Sequence, residues 1–215
     1  MSSSFGEKLK VTIFGASHGS HIGVVLEGLD AGEMIDKTAL AQFMQRRAPK
    51  KNVLSTQRRE ADEVTFVSGV LDDKTSGSPL CALIQNTDAH SKDYANLEDV
   101  PRPSHADYTA RLRFGEAVDL RGGGHFSGRL TAPLCIAGGI ALQLLARKGI
   151  EIYAHLKSVG EVEDSPLDGL TPDIHLLKVA QGRGVPMVSE ARAREAEALI
   201  QTLRQEGDSV GGVIE

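Results

Sequence analysis

The chain has 215 residues, 40% hydrophobic and 25% charged, the balance of an ordinary globular protein of one large or two small domains. A net charge of −5 argues against a general nucleic-acid binder, and 4% aromatics with no Trp call for an aliphatic core. The N-terminus has no basic-then-apolar leader, the longest apolar run (Leu130 to Ala146) is broken by Gly138, Gly139 and Gln143, and Cys81 and Cys135 both lie in apolar runs, which together predict a cytoplasmic protein with reduced thiols.

Leu9 to Phe14 reads as a strand, followed by the turn from Gly15 to His21 and a second strand from Ile22 to Leu29. Glycines flank Ser17 and His18, which sets the imidazole at a tight, exposed bend. It is either a proton-transfer group or a side chain that hydrogen-bonds its own turn. Asp36 to Arg47 reads as a helix with Leu40, Phe43 and Met44 on one apolar stripe. From Met44 to Arg59 there are six cations (Arg46, Arg47, Lys50, Lys51, Arg58 and Arg59) and no acid. Such a block either focuses a small polyanion into a cleft or is a solvated basic loop.

Val64 to Leu71 and Pro79 to Gln85 read as paired strands around an acidic turn. Asn86 to Val100 is polar and irregular, and its Asp88, His90 and Asp93 lack the spacing of a familiar metal site. In Pro101 to Thr109 the spacing predicts Ser104 as a helix cap with Asp107 three residues on, which puts His105 in the first helical turn. Leu130 to Lys148 reads as a helix stopped at Gly149. Ile150 to Val162 reads as a strand, Glu163 to Pro186 as loop, and Ser189 to Glu206 as a helix with Ala196, Leu199, Ile200 and Leu203 inward. The last eight residues begin another strand.

The most informative stretch runs from Arg121 to Ala132. Three consecutive glycines, Gly122 to Gly124, form neither a good helix nor a good strand, but let a bulky ligand approach bare backbone. Arg121 and Arg129 bracket them, and the run opens into a helix N-terminus, whose N–H groups favour an anion. Walker, dinucleotide and nucleophile-elbow patterns are absent from the sequence. The residues by themselves point to a phosphorylated, planar ligand and histidine acid–base chemistry, through His18 and His105.

Taken in order, Phe14 to Gly19, Thr56 to Asp62, Asn86 to Asp88, Ser91 to Tyr94, Arg102 to Thr109 and Arg121 to Ala132 carry a resemblance to the chorismate synthase family. The resemblance implies an α+β fold, a layered β-sheet and helix sandwich incomplete at its C-terminus, with residues 1–215 as a single N-terminal portion of the domain. It implies a lyase that removes phosphate from 5-enolpyruvylshikimate 3-phosphate by 1,4-anti elimination, giving chorismate for aromatic amino-acid biosynthesis. It further implies reduced FMN as cofactor, NADPH as a source of flavin electrons, no metal, and a homotetramer. Residue by residue, His18 would keep the reduced flavin in its working protonation state and His105 would protonate the departing phosphate. Ser17, Arg46, Arg47 and Arg129 would bind substrate, and His125, Phe126 and Ser127 would lie against FMN.

The sequence departs from the family pattern at Ala16 (usually Glu), Ser104 (usually Gly), His125 (usually Arg or Ser) and Gly128 (usually Ala), and at Ala48 to Lys50 in the basic block. It is also shorter than family members, from which we expect incomplete activity of the chain alone. Two other readings compete: a non-catalytic module that holds a phosphorylated ligand or flavin, and an ordinary flavin oxidoreductase.

Overall fold

The structure is a computed structural model that describes residues 3–48, 61–87 and 100–215. It is an α+β protein whose described residues form two compact units, one up to Ile150 and one from Glu151 onward. The basic residues Lys50, Lys51, Arg58 and Arg59, and the candidates Asp88, His90 and Asp93, lie outside the described residues.

The first unit is built on a five-stranded antiparallel sheet. Its strands are β1 (Ser4–Phe5), β2 (Lys10–Gly15), β3 (His21–Glu27), β4 (Val64–Ser68) and β7 (Leu80–Gln85), in the order β1-β2-β3-β7-β4. Alternation dictates its inner face: Ile22, Val24 and Leu26 on β3 and Leu80, Ala82 and Ile84 on β7 are all buried. The predicted pairing of 64–71 with 79–85 holds for β4 and β7. The chain between them folds into a small ribbon, β5 (Val70–Leu71) with β6 (Lys74–Thr75).

Two helices cover that face. Helix α1 (Lys37–Arg47) is capped by Asp36, whose carboxylate accepts from Ala39 N–H, and it buries Leu40 and Met44. Helix α3 (Thr131–Ala146) lies across β2, β3 and β7 and along α1, burying Ile136 and Ile140. At Gly139 the two helices approach closely: a Cβ there would sit 2.6 Å from Leu40 Cδ1. Gln143, polar in an apolar helix, trades two hydrogen bonds with the Asp36 backbone (2.9 and 3.0 Å), which ties α3 to the start of α1. By length and composition the stretch Arg121–Ala146 passes for a membrane span. Its α-helical part is only 16 residues, however, about 24 Å against a hydrocarbon core of about 30 Å, and it is built into the protein core.

A shorter helix, α2 (Asp107–Phe114), starts later than its sequence predicts. Ser104 does not cap it; Ser104 takes a left-handed backbone (φ 60°), and Ala106 precedes the helix with no side-chain cap. His105 therefore sits in a turn before the helix rather than in its first turn.

The second unit holds β8 (Leu156–Val159), β9 (Val162–Glu163) and β10 (Gly212–Ile214), in the order β10-β8-β9. The strand expected over 150–162 is thus confined to two short segments, because a turn at Gly160 folds β9 back on β8. Helix α5 (Glu190–Glu206) is capped by Ser189 as expected, with Ala193 and Ala196 buried and Leu199 and Ile200 packed on the same core. The segment read as loop contains helix α4 (Ile174–Gln181), with Asp173 accepting at its N-terminus from His175 and Leu176 N–H. Eight residues carry too little periodicity to stand out from a loop in the sequence.

Ile136 is fully buried between the sheet and α1. Ile136→Ala is expected to destabilise the first unit by about 2–5 kcal/mol, read from urea denaturation. A loss within error of zero would mean that α3 is not the central element of this core.

Candidate active site

The site grows from the turn after β2. Ser17 is buried, and its N–H donates to the Gly124 carbonyl at 3.0 Å. The His18 ring lies against Gly122, where a Cβ would fall 2.2 Å from His18 Cε1 and 2.3 Å from Nδ1. No residue but glycine fits there, and Gly122 also has φ 57°. Gly124 is equally obligatory: a Cβ would lie 1.8 Å from the Asp119 carbonyl oxygen, and its φ of 53° with ψ of −126° is a glycine conformation. Gly122 thus serves close packing against the His18 turn, and Gly124 close packing against the Asp119 carbonyl. The helix does not follow them directly, since a 3₁₀ turn (Gly128–Leu130) intervenes before α3.

The two arginines that bracket the loop have separate fates. Arg121 folds onto Asp119, with Nε–Oδ1 at 2.9 Å and Nη2–Oδ2 at 2.8 Å, at a half-exposed position. That bond holds the Asp119 carboxyl below its ordinary range against the opposing effect of burial, with a smaller contribution from His18. Arg129 is buried. Its Nη1 pairs with Asp62 Oδ1, and its Nε donates to Asn86 Oδ1 at 3.2 Å. The other carboxylate oxygen of Asp62 takes Arg47 Nη1 at 2.5 Å. Asp62 is itself buried, with a left-handed backbone (φ 51°), so its carboxylate joins two guanidiniums into one unit of net charge +1. Arg47 is the more reachable of the pair, at 23% side-chain exposure against 4% for Arg129. Arg46 points elsewhere, over the Phe43 ring.

The His105 turn is tied to the same loop. Asp107 is buried and takes Arg102 through Nε (2.7 Å) and Nη2 (2.9 Å). The Leu120 carbonyl accepts from Arg102 Nη2 at 3.5 Å and from Gly123 N–H at 3.0 Å. His105 is exposed, and its Nδ1 lies 2.9 Å from the Pro103 carbonyl. A carbonyl can only accept, so Nδ1 carries the proton and Nε2 is left for chemistry.

His125 donates Nδ1–H to the Gly15 carbonyl (2.9 Å), while Nε2 lies 2.7 Å from the Ser3 hydroxyl. Its ring meets Phe126 edge-on. Beside them is a cavity of about 660 Å³ lined by Ser3, Ile13, Phe114, Val118, His125 and Phe126. Ser127 is used locally: its Oγ accepts from Arg129 N–H at 3.3 Å.

Of the residues singled out in the sequence, Ser17, His18, Arg47, His125 and Arg129 are thus linked through one hydrogen-bonded framework, with His105 attached to it through Arg102. Two of its members, Asp62 and Asn86, had no role in the sequence reading. A signal for Asp62 existed: the acid-free basic block ends at Arg59, and Asp62 is one of the two acids, with Glu60, that follow it within three residues, where a counter-charge is due.

Comparison with known proteins bears on this framework. The family model described as "Chorismate synthase" matches residues 9–215. The chain is 41% identical over 226 residues to a chorismate synthase of Lancefieldella parvula, covering 100% of this chain and 59% of that protein. It is 40% identical to that of Bacteroides fragilis (100% and 58% covered) and 38% identical to that of Methanothermobacter thermautotrophicus (99% and 55%). The chain therefore spans a little over half the length of these curated relatives. A chorismate synthase crystal structure superposes with a TM-score of 0.69 at 22% identity, covering 97% of this chain and 57% of that one, and shows the shared fold.

Two outcomes follow from this geometry. Gly122→Ala should displace the His18 ring and abolish binding of a ligand that needs it in place, with a loss of stability of about 1–2 kcal/mol from the left-handed backbone. Unchanged affinity by calorimetry would remove Gly122 from the site. Asp107, held low by its Arg102 hydrogen bonds, contributes stability above the ordinary carboxylate range that is lost as pH falls through its depressed value. Asp107→Asn should therefore be less stable than the parent at pH 7, with the gap closing below about pH 4. A constant gap in denaturation from pH 7 to 3 would contradict this.

Proposed function

Since the chain belongs to the chorismate synthase family, we propose that its first unit carries the site at which 5-enolpyruvylshikimate 3-phosphate loses phosphate in a 1,4-anti elimination. One C–H bond and the C–O bond to phosphate break, one C=C bond forms, and chorismate and inorganic phosphate leave. The observation that carries this reading is the joining of the His18 turn, the Arg47–Asp62–Arg129 unit and the His105 turn around one glycine loop.

The substrate is a polyanion, and a net positive guanidinium unit suits it. Arg47 contacts a substrate oxyanion, and buried Arg129 adds its charge from beneath, with the field strengthened by limited water access. Arg46, exposed at the same helix end, contributes to steering. The Ser17 side chain, buried beside the loop, orients substrate. His105, starting as the imidazolium, delivers its Nε2 proton to the departing phosphate and is left as the Nδ1–H tautomer that the Pro103 carbonyl accepts from. His18, its ring fixed by Gly122, would hold the proton that keeps the reduced flavin in its working protonation state.

A place for the family's reduced FMN beside His125 and Phe126 is supported by the cavity there, whose volume and aromatic lining suit a flat ring system. His125, Phe126 and the adjoining Ser127 would hold it, and when bound it would lend electron density to the substrate as phosphate leaves. NADPH as the flavin reductant and a cytoplasmic homotetramer belong to the same proposal and rest on family membership.

The test is an anaerobic titration of the chain with reduced FMN and 5-enolpyruvylshikimate 3-phosphate, recording flavin absorbance, phosphate and chorismate. Phosphate release with chorismate formed, at a rate below that of a full-length relative, is the expected result. His18→Gln and His105→Ala should each lower turnover by ~100-fold or more with the fold intact. A normal rate in His105→Ala sinks that assignment. Flavin binding with no phosphate release would make the chain a ligand-holding module instead.

A further inference from the structure

We propose that Asn86 is a positioning residue: its side-chain amide locks the turn that carries His18 to the guanidinium of Arg129, so that imidazole and arginines are held as one piece. The chemical use of that piece rests on the elimination reading above; the lock itself does not.

Asn86 follows β7, where its backbone N–H donates to the Ser20 carbonyl at 3.0 Å and continues the β3–β7 ladder past Gln85. This sets its side chain beneath the turn. Nδ2 donates to the Ala16 carbonyl (3.1 Å) and to the Gly19 carbonyl (2.8 Å), the residues that bracket Ser17 and His18. Oδ1 accepts from Arg129 Nε at 3.2 Å. Chemistry dictates the orientation of the amide. Carbonyls only accept and a guanidinium only donates, so the NH2 group faces the turn and the oxygen faces Arg129. Both donors of one side chain are used on the turn, and its acceptor on the arginine.

Few other side chains can do this at the same place. Aspartate is nearly isosteric and still accepts from Arg129, but brings oxygens against two carbonyls. Alanine makes neither set of bonds. The turn has some support of its own, from Gly19 N–H to the Ala16 carbonyl (3.0 Å) and Ser17 N–H to the Gly124 carbonyl (3.0 Å). These two amides report directly on whether the turn is held.

The experiment compares the chain with Asn86→Asp and Asn86→Ala. It measures amide hydrogen exchange at Ser17 and Gly19, the NMR signal of His18 Cε1 (assigned by its loss in His18→Gln), and kcat and KM. Exchange at both amides should rise about tenfold in each variant, the scale of a lost net hydrogen bond, while β2 and β3 keep their protection. The His18 signal should move toward that of a free histidine in both. In turnover, Asn86→Asp should lower kcat and also raise KM, because its carboxylate takes the guanidinium unit from net +1 to 0; Asn86→Ala, which leaves that charge alone, should lower kcat with the smaller change in KM. An aspartate variant with parental exchange and a parental His18 signal would overturn the proposal. So would a uniform rise in exchange across β2 and β3, which would mark Asn86 as merely structural. Should the parent chain show no turnover, the elimination reading fails, and exchange with the His18 signal still decides the role of Asn86.

Discussion

A single buried carboxylate holds two arginines that would otherwise repel one another. Asp62 takes Arg47 from α1 on one oxygen and Arg129 from the approach to α3 on the other. Removing a buried charge from water is costly, and the cost is met only when its partners are well placed. Here one partner comes from α1 and the other from the 3₁₀ turn that leads into α3. The packing of α1 on α3, with Gly139 allowing their close approach, is therefore also what brings the cations together.

From Arg129 the framework passes through Asn86 into the His18 turn, and from that turn into the glycine loop. The loop is the common wall of the site. Gly122 backs the imidazole, Gly124 receives Ser17, and the Leu120 carbonyl anchors the segment of His105 through Arg102. Polar groups in this network are extensively satisfied by one another, which makes the arrangement stiff. A site for proton transfer and anion binding gains from stiffness, because donors held in place need not reorganise when charge moves.

Local rules performed well wherever neighbours in sequence decide the outcome. Asp36 and Ser189 cap their helices, and Gly149 and Gly207 take left-handed backbone beyond α3 and α5. The same rules failed at Ser104. There Asp107 answers to Arg102, and a buried ion pair outweighs the capping box its spacing advertises. Helix α4 was missed for lack of length, and the strand over 150–162 was shortened by a turn at Gly160.

What the sequence by itself determined is the set of chemical parts. Its motifs mark an α+β member of one family; its glycine triplet marks a close backbone approach; and its histidines and arginines mark acid–base and anion chemistry. None of these requires knowing which residues meet, because motif, turn and period are local properties. The tertiary structure alone decided the pairings: Asp62 with Arg47 and Arg129, 15 and 67 residues away, Asn86 with Ala16 and Gly19, about 70 away, and Gly122 against His18. It also decided that Arg121 and Arg129, alike in sequence, go to a half-exposed pair and a buried one. Such choices follow from how sheet and helices pack, since burial and counter-charge are properties of the assembled core and not of the segment that supplies the residue.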